Sequence, residues 1–456
     1  MKVYNRSAKA EEYKLVYLDY AATSPIKTEV RAAMMPYLAE KFGNPSSIHT
    51  WGRQARTAVD QARGNIAKFL NCSPGEIIFT SGGTEADNLA IKGLVFGLGI
   101  SNQNRLSISP ARKSQPTRSA SALDHAPRPV RVSSFDMPRP HIVTSQIEHH
   151  AVLKSCKALE KSGVELTYIK PNREGIVEVG RIKKAIKTNT VLVSVIYVNN
   201  EIGTIQPIRE IGKMIEKENG RRSSPLGMLV GKRIFFHTDA VQATEYLSMD
   251  VDYLHVDLLT ISGHKIGAPK GTGALFIRKG TPMIPMMHGG EQEMGYRAGT
   301  ENVAGIISLG KAVELIKDKD SDKVTRLRDY FIDRILKEIP DVELNGSKEL
   351  RSPNNVNLYF RYIEGESILL NLDLAGIAAS SGSACTSQSL EPSHVLMAVY
   401  DEAERAHGSV RFTLGEKTSK EEIDYTVDIL KRTIEKLRKI SPLTPRLRSG
   451  QTKEKK

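Results

Sequence analysis

Five short apolar runs in this chain each end in a polar cluster, and the residue types in those clusters could do chemistry together. Glu76–Thr80 leads into Ser81-Gly82-Gly83-Thr84-Glu85, and His141–Thr144 leads into Gln146-Ile147-Glu148-His149-His150. Val191–Val195 leads to Asn199-Asn200-Glu201, Arg233–His237 to Thr238-Asp239-Ala240-Val241-Gln242, and Leu258–Ile261 to Ser262-Gly263-His264-Lys265. Singly, each has an ordinary use. Gly82-Gly83 could make a tight turn, Asp239 could cap a helix, and Lys265 could be a solvated lysine. Jointly they supply a glycine turn and hydroxyl at a helix start for an anion, a carboxylate at a strand end, and an amine. Those are the parts a pyridoxal-phosphate site needs: a phosphate cradle, a partner for the pyridinium nitrogen, and a lysine for the aldehyde.

The pattern around them dictates how they are held. Strand-like runs alternate with helical stripes, such as Arg53–Leu70, Ala151–Ser162 and Ile208–Glu218, from about residue 57 to 278. Such alternation implies a mostly parallel α/β sheet covered by helices on both faces, with ligands beyond the carboxyl ends of its strands. Further on, amphipathic helices at Asp322–Ile339 and Lys420–Ile440 flank short strands at Asn355–Leu358 and Ser409–Phe412. This predicts a smaller α+β domain. The expected division is a large domain over 30–308, a small one from 15–29 plus 309–440, and a disordered tail over 441–456.

The net charge of +13 in 456 residues raises nucleic acid as a partner. The excess is local, however. Ser101–Pro140 has seven basic against two acidic residues, Asn219–Arg233 four basic, and Ser441–Lys456 five against one. The first is rich in Ser, Pro and Arg without periodicity and reads as a disordered insertion; the second reads as a smaller one. With the charge confined there, a basic nucleic-acid surface on the folded body is not required. No run of eighteen apolar residues occurs, so no membrane span is expected. The first fourteen residues mix basic and acidic side chains without an apolar core, unlike a signal peptide. Three cysteines in no metal-ligand spacing point to the reducing cytoplasm. Cys72 and Cys156 lie in helical, apolar contexts and read as structural. Cys385 sits in Ser380-Ser381-Gly382-Ser383-Ala384-Cys385-Thr386-Ser387, a small polar context suited to a reactive thiol on a flexible loop.

Longer motifs carry a resemblance. Tyr17–Thr23 (YLDYAAT), Phe42–Ser47 (FGNPSS), Thr80–Asn88 (TSGGTEADN), Val198–Gly203 (VNNEIG), Ser262–Gly271 (SGHKIGAPKG), Arg297–Asn302 (RAGTEN), Ser381–Pro392 (SGSACTSQSLEP) and Ala406–Gly415 (AHGSVRFTLG) resemble the cysteine desulfurase family. The resemblance runs from about residue 16 to 439 and implies the fold-type I pyridoxal-phosphate architecture, with a large-domain sheet of the seven-stranded type and a smaller α+β domain. It further implies that Lys265 carries the cofactor, Asp239 holds the pyridinium proton, and Gln242 bonds the phenolic oxygen. His149 would stack on the ring and move protons with a pKa near neutrality, His150 being the lesser candidate. Gly83, Thr84, Ser262 and His264 would bind the phosphate, with Thr300 reaching the phosphate of a partner subunit in a homodimer. Asn200 and Arg411 would grip the carboxylate of L-cysteine. Cys385 would take the sulfur as a persulfide, leaving L-alanine, and pass it to an iron–sulfur scaffold protein or to another acceptor such as a tRNA-thiolation enzyme. No resident metal is implied; Cys385 would touch an iron–sulfur cluster only in passing. A selenocysteine lyase or aminotransferase-like enzyme, or a non-catalytic interaction protein spoiled by the insertions, are the competing readings. The first insertion enters just before the strand that presents His149, and it is expected to leave from the opposite end of the sheet.

Overall fold

A computed structural model describes residues 15–99, 139–223, 233–318, 321–382 and 392–442. The strands, in chain order, are β1 Val16–Tyr17, β2 Ile77–Thr80, β3 His141–Ser145, β4 Glu165–Ile169, β5 Thr190–Ser194 and β6 Phe235–Asp239. They continue with β7 Leu258–Ser262, β8 Gly273–Ile277, β9 Val342–Leu344, β10 Asn355–Phe360, β11 Ile377–Ala378 and β12 Ser409–Thr413. Seven of them form one sheet in the order β2-β8-β7-β6-β5-β3-β4. The β7-β6-β5-β3-β4 pairings are parallel, while β8 is antiparallel to both its neighbours. Since β8 is reversed against β2 and β7 alike, β2 runs the same way as the parallel strands. All five polar clusters therefore leave the sheet at one edge.

Every residue of β2, β3, β5, β6, β7 and β8 is buried. Burial on both faces explains why these strands read as continuous apolar runs and not as alternating ones. Helix Thr50–Leu70 shows its origin most plainly: Ala55, Val59, Ala62, Ile66 and Leu70 recur at helical spacing and are all buried. Its C-cap, Asn71, adopts the left-handed conformation at φ 57°. One face of the sheet packs into a core with Val193, Phe236, Ile261 and Ile306; the other packs with Ile78, Leu94, Leu192 and Leu275. A third core, centred on Phe331, Phe360, Phe412 and Ile434, joins the antiparallel sheet β12-β10-β9 to the helices Ser321–Glu338 and Lys420–Ile440. The parallel pair β1-β11 and the bridge Asp19–Thr413 lay the N-terminal segment against this smaller sheet.

Two expectations need correcting. β4 is an additional strand; it is the sheet edge, and four of its five residues are only half-buried. The second basic stretch does not begin as an insertion at residue 219, because the helix Ile208–Arg222 continues through it. Arg222 is 4% exposed and donates to the Lys187 and Thr190 carbonyls, at 2.6 and 3.1 Å, so part of the supposed surface charge holds the core together. Residues 101–138 and the tail from 443 lie outside the described residues. The first insertion rejoins the fold at Arg139-Pro140, at the amino end of β3, opposite the edge that bears His149. No helix among the described residues is long and apolar enough to cross a membrane.

Candidate active site

The turn after β2 and the end of β7 build one wall of the site. Gly82 has φ 148°, a backbone conformation that side chains disfavour, and it opens the helix that begins at Gly83. A Cβ on Gly83 would stand 3.0 Å from Val241 Cγ2 and 3.6 Å from Ser262 Cβ, so the β2, β6 and β7 ends converge on this glycine turn. Thr84 is exposed at the rim and Ser262 is buried at the base. His264 lies beside them, its Nδ1 3.3 Å from Thr23 Oγ1. Burial and the Lys265 charge push the His264 imidazole down to about 4, so it is neutral near pH 7.

The floor is acidic. Asp239 ends β6 at 4% exposure, accepts a hydrogen bond from the Val241 N–H at 3.0 Å, and lies close to Asp87 and His149. One ligand-type atom from each of the three falls within 4.8 Å of the others. Burial raises both Asp239 and Asp87, and their mutual repulsion raises Asp87 further; the Lys265 charge draws Asp239 back down. A carboxylate here suits a cationic ring N–H. The Lys265 charge, which acts on both Asp239 and His149, disfavours a metal ion there.

Lys265 sits in the short 3-10 turn after β7 and donates to the carbonyls of Ala21 and Ala22, at 2.5 and 2.8 Å. Gln242 Nε2 donates to the same Ala21 carbonyl at 3.1 Å. His149 caps the helix His150–Glu160, its Nδ1 accepting from the Ala151 N–H at 3.2 Å. The expectation of a near-neutral pKa for His149 does not hold in this state. Burial first, then Lys265, His150 and His394, push it down to about 4, leaving a neutral imidazole at pH 7. His150 turns toward His394, with ring centroids 4.6 Å apart.

Arg411 on β12 is 3% exposed. Its Nη1 donates to the Asn200 carbonyl at 2.7 Å and its Nη2 to Asp19 Oδ1 at 3.0 Å. Its Nε is buried with no hydrogen-bond partner among the described residues. Arg411 and Ser380 exchange two backbone hydrogen bonds, at 2.7 and 3.1 Å. The stem of the cysteine segment is thus strapped to the arginine. Cys385 itself lies outside the described residues. The two described cysteines are buried or half-buried, and burial pushes both thiols up to about 12, in keeping with a structural role. Thr300 is exposed and lines a cavity of about 210 Å³ with Thr80, Ser81 and Arg297, whose lining includes neither Asp239 nor Lys265.

Several functional neighbours had no assigned role in the sequence. Asp19 pairs with Arg411, and the carbonyls of Ala21 and Ala22 hold the lysine amine, although their motif had been noted. Glu148 is wholly buried behind His149. Its Oε1 accepts from Ser145 Oγ and from the Ile196 N–H, while its Oε2 has no hydrogen-bond partner among the described residues. Burial raises it to about 8 against those two bonds. The folded chain thus keeps a proton that the unfolded chain releases near its ordinary value of 4.5. Its stabilising contribution is complete below that value and declines as pH rises through about 8, by at most ~1.4 kcal/mol per pH unit. Glu148→Gln keeps the accepting oxygen and removes the titration. Its stability relative to the parent should rise from pH 5 to pH 8 in denaturant melts; a difference independent of pH would contradict the buried-acid assignment.

The residues present fit pyridoxal phosphate: a glycine turn with Ser262 and His264 for the phosphate, a buried Asp239 for the ring nitrogen, and the Lys265 amine for the aldehyde. The comparisons agree. The chain belongs to the aminotransferase class-V family, whose model matches residues 16–103 and 130–426. Within it, the chain is a member of the cysteine desulfurase family. It is 51% identical to cysteine desulfurase IscS of Dictyoglomus turgidum over 94% of this chain and 96% of that one. It is 45% identical to the IscS of Methanosarcina thermophila over 95% and 96%. A solved NifS-like protein matches with a TM-score of 0.77 at 29% identity, covering 93% of this chain and all of that one. A structure described as SspA in complex with cysteine matches at 0.70 and 32%, covering 89% and 100%.

Proposed function

We propose that this chain is a pyridoxal-phosphate-dependent cysteine desulfurase that converts L-cysteine to L-alanine and carries the sulfur as a persulfide on Cys385. The observation that carries the reading is that one segment holds both groups, Lys265 through the Ala21 and Ala22 carbonyls and Arg411 through Asp19, with the cysteine segment's stem bonded to the arginine's own backbone. The cofactor, when bound, supplies an electron sink conjugated to the substrate α-carbon. The chain does the rest. Arg411 meets the substrate carboxylate with its planar fork, oriented by Asp19 and the Asn200 carbonyl. Lys265 Nζ, held over Ala21 and Ala22, takes and returns the proton at the substrate α-carbon. Burial and the Lys265 charge keep His149 a neutral, weakly basic imidazole at pH 7, suited to stacking on the cofactor ring. The Cys385 thiolate then attacks the substrate sulfur. One S–S bond forms, the C–S bond breaks with its electron pair left on carbon, and a proton takes the place of sulfur there.

The sulfur is passed on for iron–sulfur cluster assembly, a reading supported by the IscS names of the relatives. Thr300, exposed at the rim, serves the phosphate of a second copy in a homodimer. The test is alanine and sulfide production from L-cysteine, with and without an iron–sulfur scaffold protein. Cysteine-dependent alanine should appear and rise with the scaffold; transamination of cysteine without sulfide release would contradict the reading. Arg411→Lys keeps the charge but loses the fork. Charge-assisted hydrogen bonds are worth about 1.5–3 kcal/mol, so the KM for L-cysteine should rise roughly 10- to 100-fold with a smaller change in kcat. An unchanged KM would mean that Arg411 only braces Asp19.

A further inference from the structure

Glu201 is buried at 2% exposure, one residue from Asn200, and the reaction as described gives it no role. Its backbone is fixed from both sides. The Glu201 N–H donates to Asn199 Oδ1 at 2.9 Å, and its carbonyl accepts from the Asn355 and Asn357 amides of β10 at 3.1 and 2.9 Å. The carboxylate therefore has a set position. Ser393 Oγ donates to its Oε2 at 2.5 Å and in turn accepts from the Leu396 N–H at 3.1 Å, capping the helix His394–Tyr400. On the other side, Gly382 packs directly on the same group. A methyl at Gly382 would stand 2.5 Å from Glu201 Oε2 and 3.1 Å from its Cβ and Cδ.

Gly382 and Ser393 flank the stretch of sequence that contains Cys385. One carboxylate oxygen thus touches both flanks, and the residue before it contributes its carbonyl to the substrate-binding arginine. We propose that Glu201 is a positioning residue: its carboxylate pins both flanks of the sulfur-accepting segment beside the Asn200–Arg411 carboxylate site, so that the side chain serves thiol delivery, while substrate seating rests on the separately held backbone. The proposal rests on the desulfurase reading of Cys385 and Arg411. A misplacement of about 1 Å can cost on the order of 100-fold in rate, so a reference point of this kind has kinetic weight.

The test uses full-length enzyme loaded with pyridoxal phosphate. Single-turnover persulfide formation on Cys385 is read by thiol-specific labelling, alongside the absorbance change on adding L-cysteine, the KM and the Tm. Glu201→Ala and Gly382→Ala should each slow persulfide formation roughly 10- to 100-fold, with KM and the cysteine-induced absorbance change held within about twofold. Glu201→Gln, which still offers an oxygen to Ser393, should restore most of the rate. Gly382→Ala alters no buried charge, so it keeps the test valid if Glu201→Ala fails to fold. Wild-type persulfide formation in Gly382→Ala, or a Glu201→Gln variant as slow as Glu201→Ala, would overturn the proposal. Loss of KM and rate together would do the same, since that marks a merely structural defect. Cys385→Ala run in parallel separates the two claims: if it still forms persulfide product, the desulfurase reading has failed instead.

Discussion

Lys265→Ala should purify with pyridoxal phosphate bound weakly or not at all, and borohydride reduction should leave no cofactor on the chain, whereas the parent protein should acquire one adduct at Lys265. Desulfuration falls by at least ~10²–10⁴-fold, the range lost with a positioned proton-transfer group. The argument is geometric. The lysine amine is held by two backbone carbonyls from the Tyr17–Thr23 motif, beside Ser262 and His264, and nothing else in the cluster can supply an amine. The phosphate cradle does not depend on the lysine, so residual non-covalent binding is expected to survive. Electrostatics gives a second readout in the cofactor-free protein. The Lys265 charge depresses both His149 and Asp239, so removing it should move the His149 titration upward from about 4 by NMR and raise Asp239 further. An adduct retained in the variant, or a His149 titration unmoved, would separate the lysine from the floor it is placed on.

What could be read from sequence, and what could not, follows from how far apart the partners lie. The parallel strands were legible because burial on both faces makes them continuous apolar runs, and the polar clusters stood out as interruptions of those runs. β4 escaped because an edge strand is half-exposed and its Glu-Leu-Thr-Tyr-Ile sequence is not uniformly apolar. β6 runs two residues beyond the apolar run Arg233–His237 that marks it in the sequence. Thr238 and Asp239 look like loop residues, yet they pair in register with Leu259 and Thr260, and that placement buries the aspartate. Arg222 was grouped with surface charge because a run of Arg and Ser says nothing of the carbonyls that await it at Lys187 and Thr190. Asp19, Asp87, Glu148 and Glu201 were legible only as members of motifs. Their roles depend on partners brought in by the fold, such as Arg411, 392 residues from Asp19, or the Ile196 N–H, 48 residues from Glu148. Cys385 is the converse case. Its assignment came wholly from its motif, and what the structure adds is the setting of its flanks, at Arg411 and at Glu201.

Cys385→Ala should therefore keep everything the described residues build and lose what only the thiol can do. Substrate seating depends on Arg411, Asn200 and Asp19, and cofactor binding on Lys265, Asp239 and Ser262, and the roles proposed for these residues do not call on a thiol at 385. The variant should bind pyridoxal phosphate with parental absorbance and show the parental absorbance change on adding L-cysteine. Persulfide on the protein should be absent by labelling, and sulfide and alanine release should fall on the order of 10³-fold or more, as for loss of an enzymic nucleophile. Neither remaining cysteine can substitute. Cys72 and Cys156 hold their protons up to about pH 12 because they are buried, and a thiol is far poorer than a thiolate at attacking sulfur. Cys385→Ser should be equally inactive, since a hydroxyl of similar size offers no sulfur to form the S–S bond. Cys72→Ala and Cys156→Ala should be active at near-parental rates. Sulfide release at the parental rate from Cys385→Ala would place the sulfur-accepting step elsewhere, and with it the reason for a glycine and a serine to share one buried carboxylate at the flanks of that segment.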